Sequence, residues 1–380
     1  MKVYLDNGAT TKTAPEVVEA MMLYFTEQYG NASSLHTFGR EAKDALDTAR
    51  ATIAKKLNAT PEEIIFTSGG TESDNLAIKG IAYAHKDKGN HIITSKIEHP
   101  AVLSTCATLE KEGFKVTYLD VDKEGLIKPE QVKKAITDKT ILVTIMHANN
   151  EIGTIEPIKE IGEICKIHKI FFHTDAVQSF TKVPLDVKMI SVDLISLSGH
   201  KIHGPKGVGV LYVKKGTKLK KMSDGGGHEF RLRAGTENIS GIVGFAKATE
   251  FVSEKDVRDV QKLRDKLMDG LLKIPHTQLN GSRKQRLSNN VNISFNYIEG
   301  ESLLMSLDDR GIAVSTGSAC SSHSLQPSHV LMALGLKPEI AHGSIRFTLS
   351  KYTTEDEIDF TIKTVKEVVE KLRQFSPLGR

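Results

Sequence analysis

The chain has 380 residues, with 51 Lys and Arg set against 47 Asp and Glu for a formal net charge of +4, and this near-balance excludes the basic excess of a nucleic-acid binder. No apolar run is long enough to cross a bilayer, and the start, Met1-Lys2-Val3-Tyr4-Leu5-Asp6, lacks a signal core, so a cytoplasmic protein without membrane contact is expected. Cys106, Cys165 and Cys320 are odd in number and widely spaced, which fits neither a disulfide framework nor a zinc site. The length exceeds one ordinary core, so a large domain with a smaller companion is expected.

In chain order, a short apolar strand within residues 1–13 leads into the turn Asn7-Gly8-Ala9-Thr10-Thr11, whose glycine admits close approach of a ligand. Pro15 opens an apolar-periodic helix through residue 25, and residues 38–57 form a second. A strand at 63–67 runs through Ser68-Gly69-Gly70-Thr71 into a helix over 72–88. Two glycines and a hydroxyl at a helix start make a phosphate cradle, and the absence of a Walker lysine argues against nucleotide hydrolysis. The strand 91–95 precedes Glu98-His99-Pro100, which holds His99 at a strand's carboxyl end, where sites in open α/β sheets lie. Further β-rich runs at 116–119, 141–146 and 170–173 alternate with helical patterns at 129–136 and 157–168. That alternation predicts a mostly parallel sheet with helices on both faces. Asn149 and Asn150 read by themselves as turn residues.

Two strand ends carry the chemistry. Phe171-Phe172-His173-Thr174-Asp175 ends in an acid, followed by Gln178, and residues 192–198 end in Ser198-Gly199-His200-Lys201. A lysine at the mouth of an apolar strand is partly desolvated, which favours the neutral amine that forms a Schiff base with an aldehyde. An aspartate one unit upstream can pair with a pyridinium nitrogen, and the two together are the pair a pyridoxal phosphate enzyme needs. Each string alone also fits a plainer reading, a solvated lysine in a glycine-rich turn and a helix N-cap at Asp175.

After a strand at 207–213, the loop Arg231-Leu232-Arg233-Ala234-Gly235-Thr236 presents cations and a hydroxyl. A composition shift follows residue 255, so 14–255 is expected to form the large domain, and 1–13 with 256–380 the smaller α+β one. There a helix over 257–272 is followed by a small-residue loop containing Gly317-Ser318-Ala319-Cys320-Ser321-Ser322. A helix from Pro327 to about residue 334 comes next, then a strand over 344–350 bearing Arg346 and a final helix over 355–373. The loop composition favours an exposed, movable thiol at Cys320, and a guanidinium on a strand can hold a carboxylate through two bonds, though a surface arginine reads the same way.

Taken together, the strings resemble the cysteine desulfurases of the NifS and IscS kind, which are class V, fold-type I pyridoxal phosphate enzymes. They are Tyr4 to Thr11, Thr67 to Ser73, Glu98-His99, the Asp175 and Lys201 strings, Arg233 to Asn238 and Ser318 to Ser322. The resemblance implies Lys201 as the cofactor lysine, Asp175 on the ring nitrogen, His99 over the ring and as a catalytic residue for proton transfer, and Gln178 on the ring oxygen. It also implies Gly70, Thr71, Ser198, His200 and the neighbouring subunit's Thr236 around the phosphate, Asn150 (Asn149 as the fallback) near cofactor and substrate, and Arg346 on the substrate carboxylate. Cys320 becomes the nucleophile that takes sulfur from L-cysteine, leaving alanine and a persulfide. A homodimer is implied, with delivery to an iron-sulfur scaffold or another sulfur-acceptor protein and tRNA thiolation as a further outlet. A selenocysteine lyase or another class V aminotransferase is the nearest alternative, and a non-catalytic scaffold that binds a sulfur acceptor is one of a different kind. Gly70 departs from the alanine of many relatives, and Ala32 from their proline.

Overall fold

The strands of the middle of the chain alternate between two apolar faces, and that pattern organises the architecture. The structure is a computed structural model and describes residues 1–316 and 327–376. Its order begins β1 (Val3–Tyr4), α1 (Pro15–Thr26), α2 (Thr37–Leu57), β2 (Ile64–Thr67), α3 (Gly70–Ala84), β3 (His91–Ser95), α4 (Pro100–Lys111) and β4 (Lys115–Leu119). Then come α5 (Pro129–Ala135), β5 (Thr140–Thr144), α6 (Ile158–His168), β6 (Phe171–Asp175), β7 (Leu194–Ser198), β8 (Gly209–Val213) and α7 (Ile239–Phe251).

Among the described residues, seven strands form the central sheet in the order β2-β8-β7-β6-β5-β3-β4. The pairs from β4 to β7 are parallel, and β8 runs antiparallel to both β7 and β2. Phe66, Ile93, Val143, Ile195, Leu197 and Val210 pack in one core with α2, α6 and α7. The intervening Ile65, Ile92, Leu142, Leu194 and Leu211 pack in another with α3 and α4. A sheet buried on both faces in this way places helices on each side, as the βα alternation predicts. The carboxyl ends of β2, β3, β5, β6 and β7 lie along one edge, because β2 regains their direction after the antiparallel β8.

The remaining elements are α8 (Glu254–Leu271), β9 (Thr277–Leu279), β10 (Asn290–Phe295), α9 (Gly300–Asp308), β11 (Ile312–Ala313), β12 (Ser315–Thr316), α10 (His329–Ala333), α11 (Pro338–His342), β13 (Ser344–Thr348) and α12 (Glu355–Phe375). They build a separate core in which Leu267, Ile293, Phe347 and Val365 meet Val3 and Leu5 from the start of the chain. β1 pairs in parallel with β11, Val3 opposite Ile312. The amino-terminal turn is thereby held against both parts, since the Thr11 hydroxyl donates to the carbonyl of His200 (2.8 Å) and Gly8 N–H donates to Thr348 Oγ1 (2.6 Å).

Three local expectations shift. α3 starts at Gly70 and ends at Ala84, short of residue 88. α10 starts at His329, because the Ser328 hydroxyl caps the amides of Val330 and Leu331 where Pro327 was expected to open the helix. α7 has no counterpart in the sequence reading, since its glycines and alanines weaken the periodic signal. Those small residues let α1 approach, and a Cβ on Gly244 would stand 2.5 Å from Met21 Sδ.

Candidate functional site

A cavity of about 280 Å³ opens where the strand ends meet the amino-terminal turn. It collects Gly70, Thr71, His99, Asn150, Asp175, Gln178, Ser198, His200, Lys201 and Arg346, ten of the residues singled out from the sequence. Thr236 lies elsewhere, exposed on its loop. Cys320 falls outside the described residues. β12, which ends at Thr316 just before them, pairs Ser315 with Arg346.

The cradle forms because β2 ends directly against the start of α3. Gly69 has φ of +156° with open space where a Cβ would stand, so the backbone turns there without a side chain in the way. The first amides of α3, at Gly70 and Thr71, lie at a helix end whose N–H groups lack intrahelical acceptors. Gly70 is also required by its neighbour, because a Cβ there would approach Val177 Cγ2 to 2.7 Å. The departure at Gly70 is thus matched by a branched side chain that fills the space.

Asp175 closes β6 and is almost wholly buried. Its Oδ1 accepts the Val177 N–H at 2.9 Å, and burial lifts its pKa to about 6, against the opposing pull of that N–H and of Lys201. Lys201 follows β7, and its Nζ donates to the carbonyls of Gly8 and Ala9, both at 2.7 Å. Gln178 Nε2 donates to Gly8 O at 2.9 Å. The amino-terminal turn therefore orients two groups of the site, through carbonyls that carry no sequence signature.

His99 caps α4, its Nδ1 accepting the Ala101 N–H at 3.1 Å. Burial, with the nearby Lys201 and His329 charges, takes its pKa down to about 4. His200 is brought to about 4 by burial and by Lys201 and Lys206, with Nδ1 3.2 Å from Thr10 Oγ1. Both rings are neutral at neutral pH, so each presents one N–H and one lone pair. Of the two asparagines, Asn149 is consumed by its own turn. It accepts from the amides of Glu151 and Ile152 and donates to Ile97 O, while Asn150 lines the cavity.

Arg346 lies on β13 with only 3% of its surface exposed, so it is no surface arginine. Nη1 donates to Asn150 O (3.0 Å) and Nη2 to Asp6 Oδ1 (2.9 Å), and Nε is buried without an acceptor among the described residues. Asp6 and the cavity-lining Asp74 are site residues that the motif reading did not assign.

A family model, Aminotransferase class-V, matches residues 3–360. Over 379 residues the chain is 58% identical to a cysteine desulfurase IscS of Methanosarcina thermophila, covering 99% of this chain and 94% of that relative. The chain belongs to the cysteine desulfurases of the class-V aminotransferase family. A solved NifS-like protein superposes on this desulfurase with a TM-score of 0.92 at 40% identity, covering 98% of this chain and 100% of that one. A solved SspA in complex with cysteine superposes with a TM-score of 0.84 at 40% identity, covering 93% and 100%.

Class-V aminotransferases of this kind depend on pyridoxal phosphate, and the donor set fits it. The open amides at Gly70 and Thr71, with the Ser198 hydroxyl and the His200 ring in the same cavity, suit a dianionic phosphate. Asp175 offers a carboxyl to a protonated ring nitrogen and Lys201 an amine to an aldehyde. Among the described residues no cluster of side chains could hold a metal ion, and no helix is long and apolar enough to cross a membrane.

Proposed function

We propose that this desulfurase takes sulfur from L-cysteine, releases L-alanine and keeps the sulfur as a persulfide on Cys320. The observation that carries the reading is the convergence of Lys201, Asp175 and Arg346 on one cavity beside the open amino terminus of α3. Pyridoxal phosphate, when bound, supplies an aldehyde for the substrate amine and a ring that accepts the electrons released at the α-carbon. Arg346 holds the α-carboxylate through its guanidinium, which fixes the substrate's orientation. Lys201 Nζ moves the α-proton, and Asp175 keeps a proton on the ring nitrogen. His99, neutral, would stack over the ring, shield it from water and take part in proton transfer. The Cys320 thiolate attacks the substrate sulfur, so an S–S bond forms as the C–S bond breaks, and the three-carbon fragment takes up protons and leaves as alanine.

Residues 14–255 hold the cofactor, and residues 1–13 with 256–380 form the smaller unit that carries Cys320 and Arg346. The separate core uniting Val3 and Leu5 with residues 260–369 supports that division. The working enzyme is a homodimer in which Thr236 of each chain reaches the other's phosphate. In support, Phe25, Tyr29, Leu35 and Phe38 form an exposed apolar set on and between α1 and α2, with Leu35 90% exposed. The persulfide passes in the cytoplasm to an iron-sulfur scaffold or another acceptor protein.

The test follows sulfide and alanine from L-cysteine in excess thiol, comparing the wild type with Cys320→Ala after the visible absorbance of bound cofactor has been matched. Equal sulfide and alanine from the wild type, both lost in the variant, are expected. A variant that keeps its rate points to a selenocysteine lyase type of site, and cysteine consumed to a 2-oxo acid with neither alanine nor sulfide released points to transamination. Either result overturns the proposal.

A further inference from the structure

Asp74 sits in the first turns of α3, on the wall of the cavity that also holds Asp175, and is 1% exposed. Among the described residues its Oδ1 is buried with no hydrogen-bond partner, and no lysine or arginine forms an ion pair with it. The one cationic candidate, His173 Nε2 at 3.6 Å, is not a cation. Burial drives the His173 pKa down to about 3, its Nδ1 bonds Thr144 Oγ1 (2.8 Å), and its Nε2 bonds Ser196 Oγ (2.9 Å). An ionised carboxylate in such a place would be desolvated and uncompensated, which costs far more than holding a proton.

The acids that face Asp74 push the same way. Asp175 and His173 stand on β6, Glu98 lies just beyond β3, and Ser196 on β7 is the residue paired with Asp175 across the sheet. Burial, then Asp175, raise the Asp74 pKa well above the ordinary range, with Glu98 adding to this and only the Ser196 hydroxyl opposing it. Asp175 differs in having the Val177 N–H and the field of Lys201 to stabilise its charge.

We propose that Asp74 is a positioning residue that stays a neutral carboxylic acid beside Asp175, so that the two carboxyl groups together present a single negative charge to the cofactor's ring nitrogen. This rests on the cavity being the pyridoxal phosphate site. With one proton on Asp74, its O–H is a donor beside the buried Ser196 and His173. The charge of Asp175 is then the one the ring nitrogen meets. Were both ionised, the two charges would repel in a low-dielectric wall, and the proton would return to Asp74, whose charge lacks the N–H and lysine that stabilise Asp175.

The variants are Asp74→Asn, which keeps the shape and a donor without a titratable group, and Asp74→Leu, which keeps bulk alone. Visible absorbance of the holoenzyme across pH reports the ring. The band's titration in Asp74→Asn should move by less than about half a pH unit, because no charge has been removed. A larger movement means Asp74 is ionised and overturns the proposal. Cofactor retention on dialysis should hold within about threefold in Asp74→Asn and weaken about tenfold in Asp74→Leu, as loss of a buried hydrogen-bonding group predicts. Equal losses in both overturn the positioning role. Thermal unfolding of the full chain freed of cofactor tests Asp74 without the ring. A raised folded pKa gives stability that is present below the ordinary carboxyl range and lost as pH rises, so the wild type should lose more than Asp74→Asn between about pH 5 and 8. Coincident profiles overturn the proposal. Failure of the wild type to bind pyridoxal phosphate would instead overturn the site assignment.

Discussion

Arg346 on β13 and Asp6 near the start of the chain form an ion pair across 340 positions of sequence, Nη2 to Oδ1 at 2.9 Å. The guanidinium proposed to hold the substrate carboxylate already has a partly exposed carboxylate at one edge, with the carbonyl of Asn150 at the other nitrogen. Asp6 keeps the buried arginine compensated, and under the proposed role of Arg346 it competes with the incoming α-carboxylate for the same charge.

Asp6→Asn should therefore split binding from stability. The KM for cysteine is expected to fall roughly threefold, while unfolding becomes easier by about 1–3 kcal/mol because a buried guanidinium loses its counter-charge, discounted for the exposure of Asp6. Arg346→Lys should raise KM at least tenfold, since an ammonium cannot make the two-bond contact. Steady-state kinetics with a urea titration of each variant measures both, and a raised KM in Asp6→Asn would refute the competition.

Gly70 and Val177 are coupled by space. Gly70→Ala places a methyl group 2.7 Å from Val177 Cγ2, so the start of α3 or the turn after Asp175 must shift. Cofactor affinity should drop in Gly70→Ala and recover when Val177→Ala is added, with a coupling of about 0.5–3 kcal/mol in the double-mutant cycle. Additive losses would mean that the two side chains do not share that space.

Asp175→Asn removes the charge proposed to meet the ring nitrogen while leaving a side chain of the same shape to accept the Val177 N–H. Desulfuration should fall about a hundredfold or more, the scale on which a preorganised charge at a reacting centre acts. Because burial has lifted the Asp175 pKa to about 6, the cofactor-free variant should resist unfolding at pH 7 at least as well as the wild type. A rate within threefold of the wild type would remove Asp175 from the ring nitrogen.

The site was legible where chemistry coincides with a local pattern. Gly70, Asp175 and Lys201 each follow an apolar strand, and the rule that sites lie at strand carboxyl ends brings them to one edge without knowledge of the strand order. What sequence could not show were contacts made by backbone or by buried acids. Lys201 is oriented by the carbonyls of Gly8 and Ala9, which any residue provides. Asp74 and Glu151 look in sequence like solvated carboxylates, because burial of a polar residue depends on partners over a hundred positions away, and Asp6 gives no sign of its arginine 340 positions on. Asn149 and Asn150 are adjacent and chemically alike, and only the turn's hydrogen bonds separate the structural one from the cavity-lining one.

Glu151 gives the last prediction. It is buried beside the site, accepts the hydroxyl of Ser328 at the start of α10, and its carbonyl receives Asn290 Nδ2 (3.2 Å) and Asn292 Nδ2 (3.1 Å). Burial raises its pKa to about 7, with Ser328 and the Arg346 charge opposing. Glu98 and Glu156, also buried, are raised to about 8. A raised folded pKa means that the folded chain holds protons the unfolded chain has lost. Stability is then fully present below the unfolded value near 4.5 and drains away as pH rises through 7. For Glu151 the loss has an upper bound on the order of 3 kcal/mol. Glu151→Gln keeps the acceptor for Ser328 and abolishes that titration, so its thermal midpoint should fall less than the wild type's between pH 5 and 8. The remaining slope is shared by the other buried acids whose pKa is raised, Asp74, Asp175, Glu98 and Glu156. Parallel profiles for the two proteins would show that Glu151 is ionised in the folded chain, held so by Arg346.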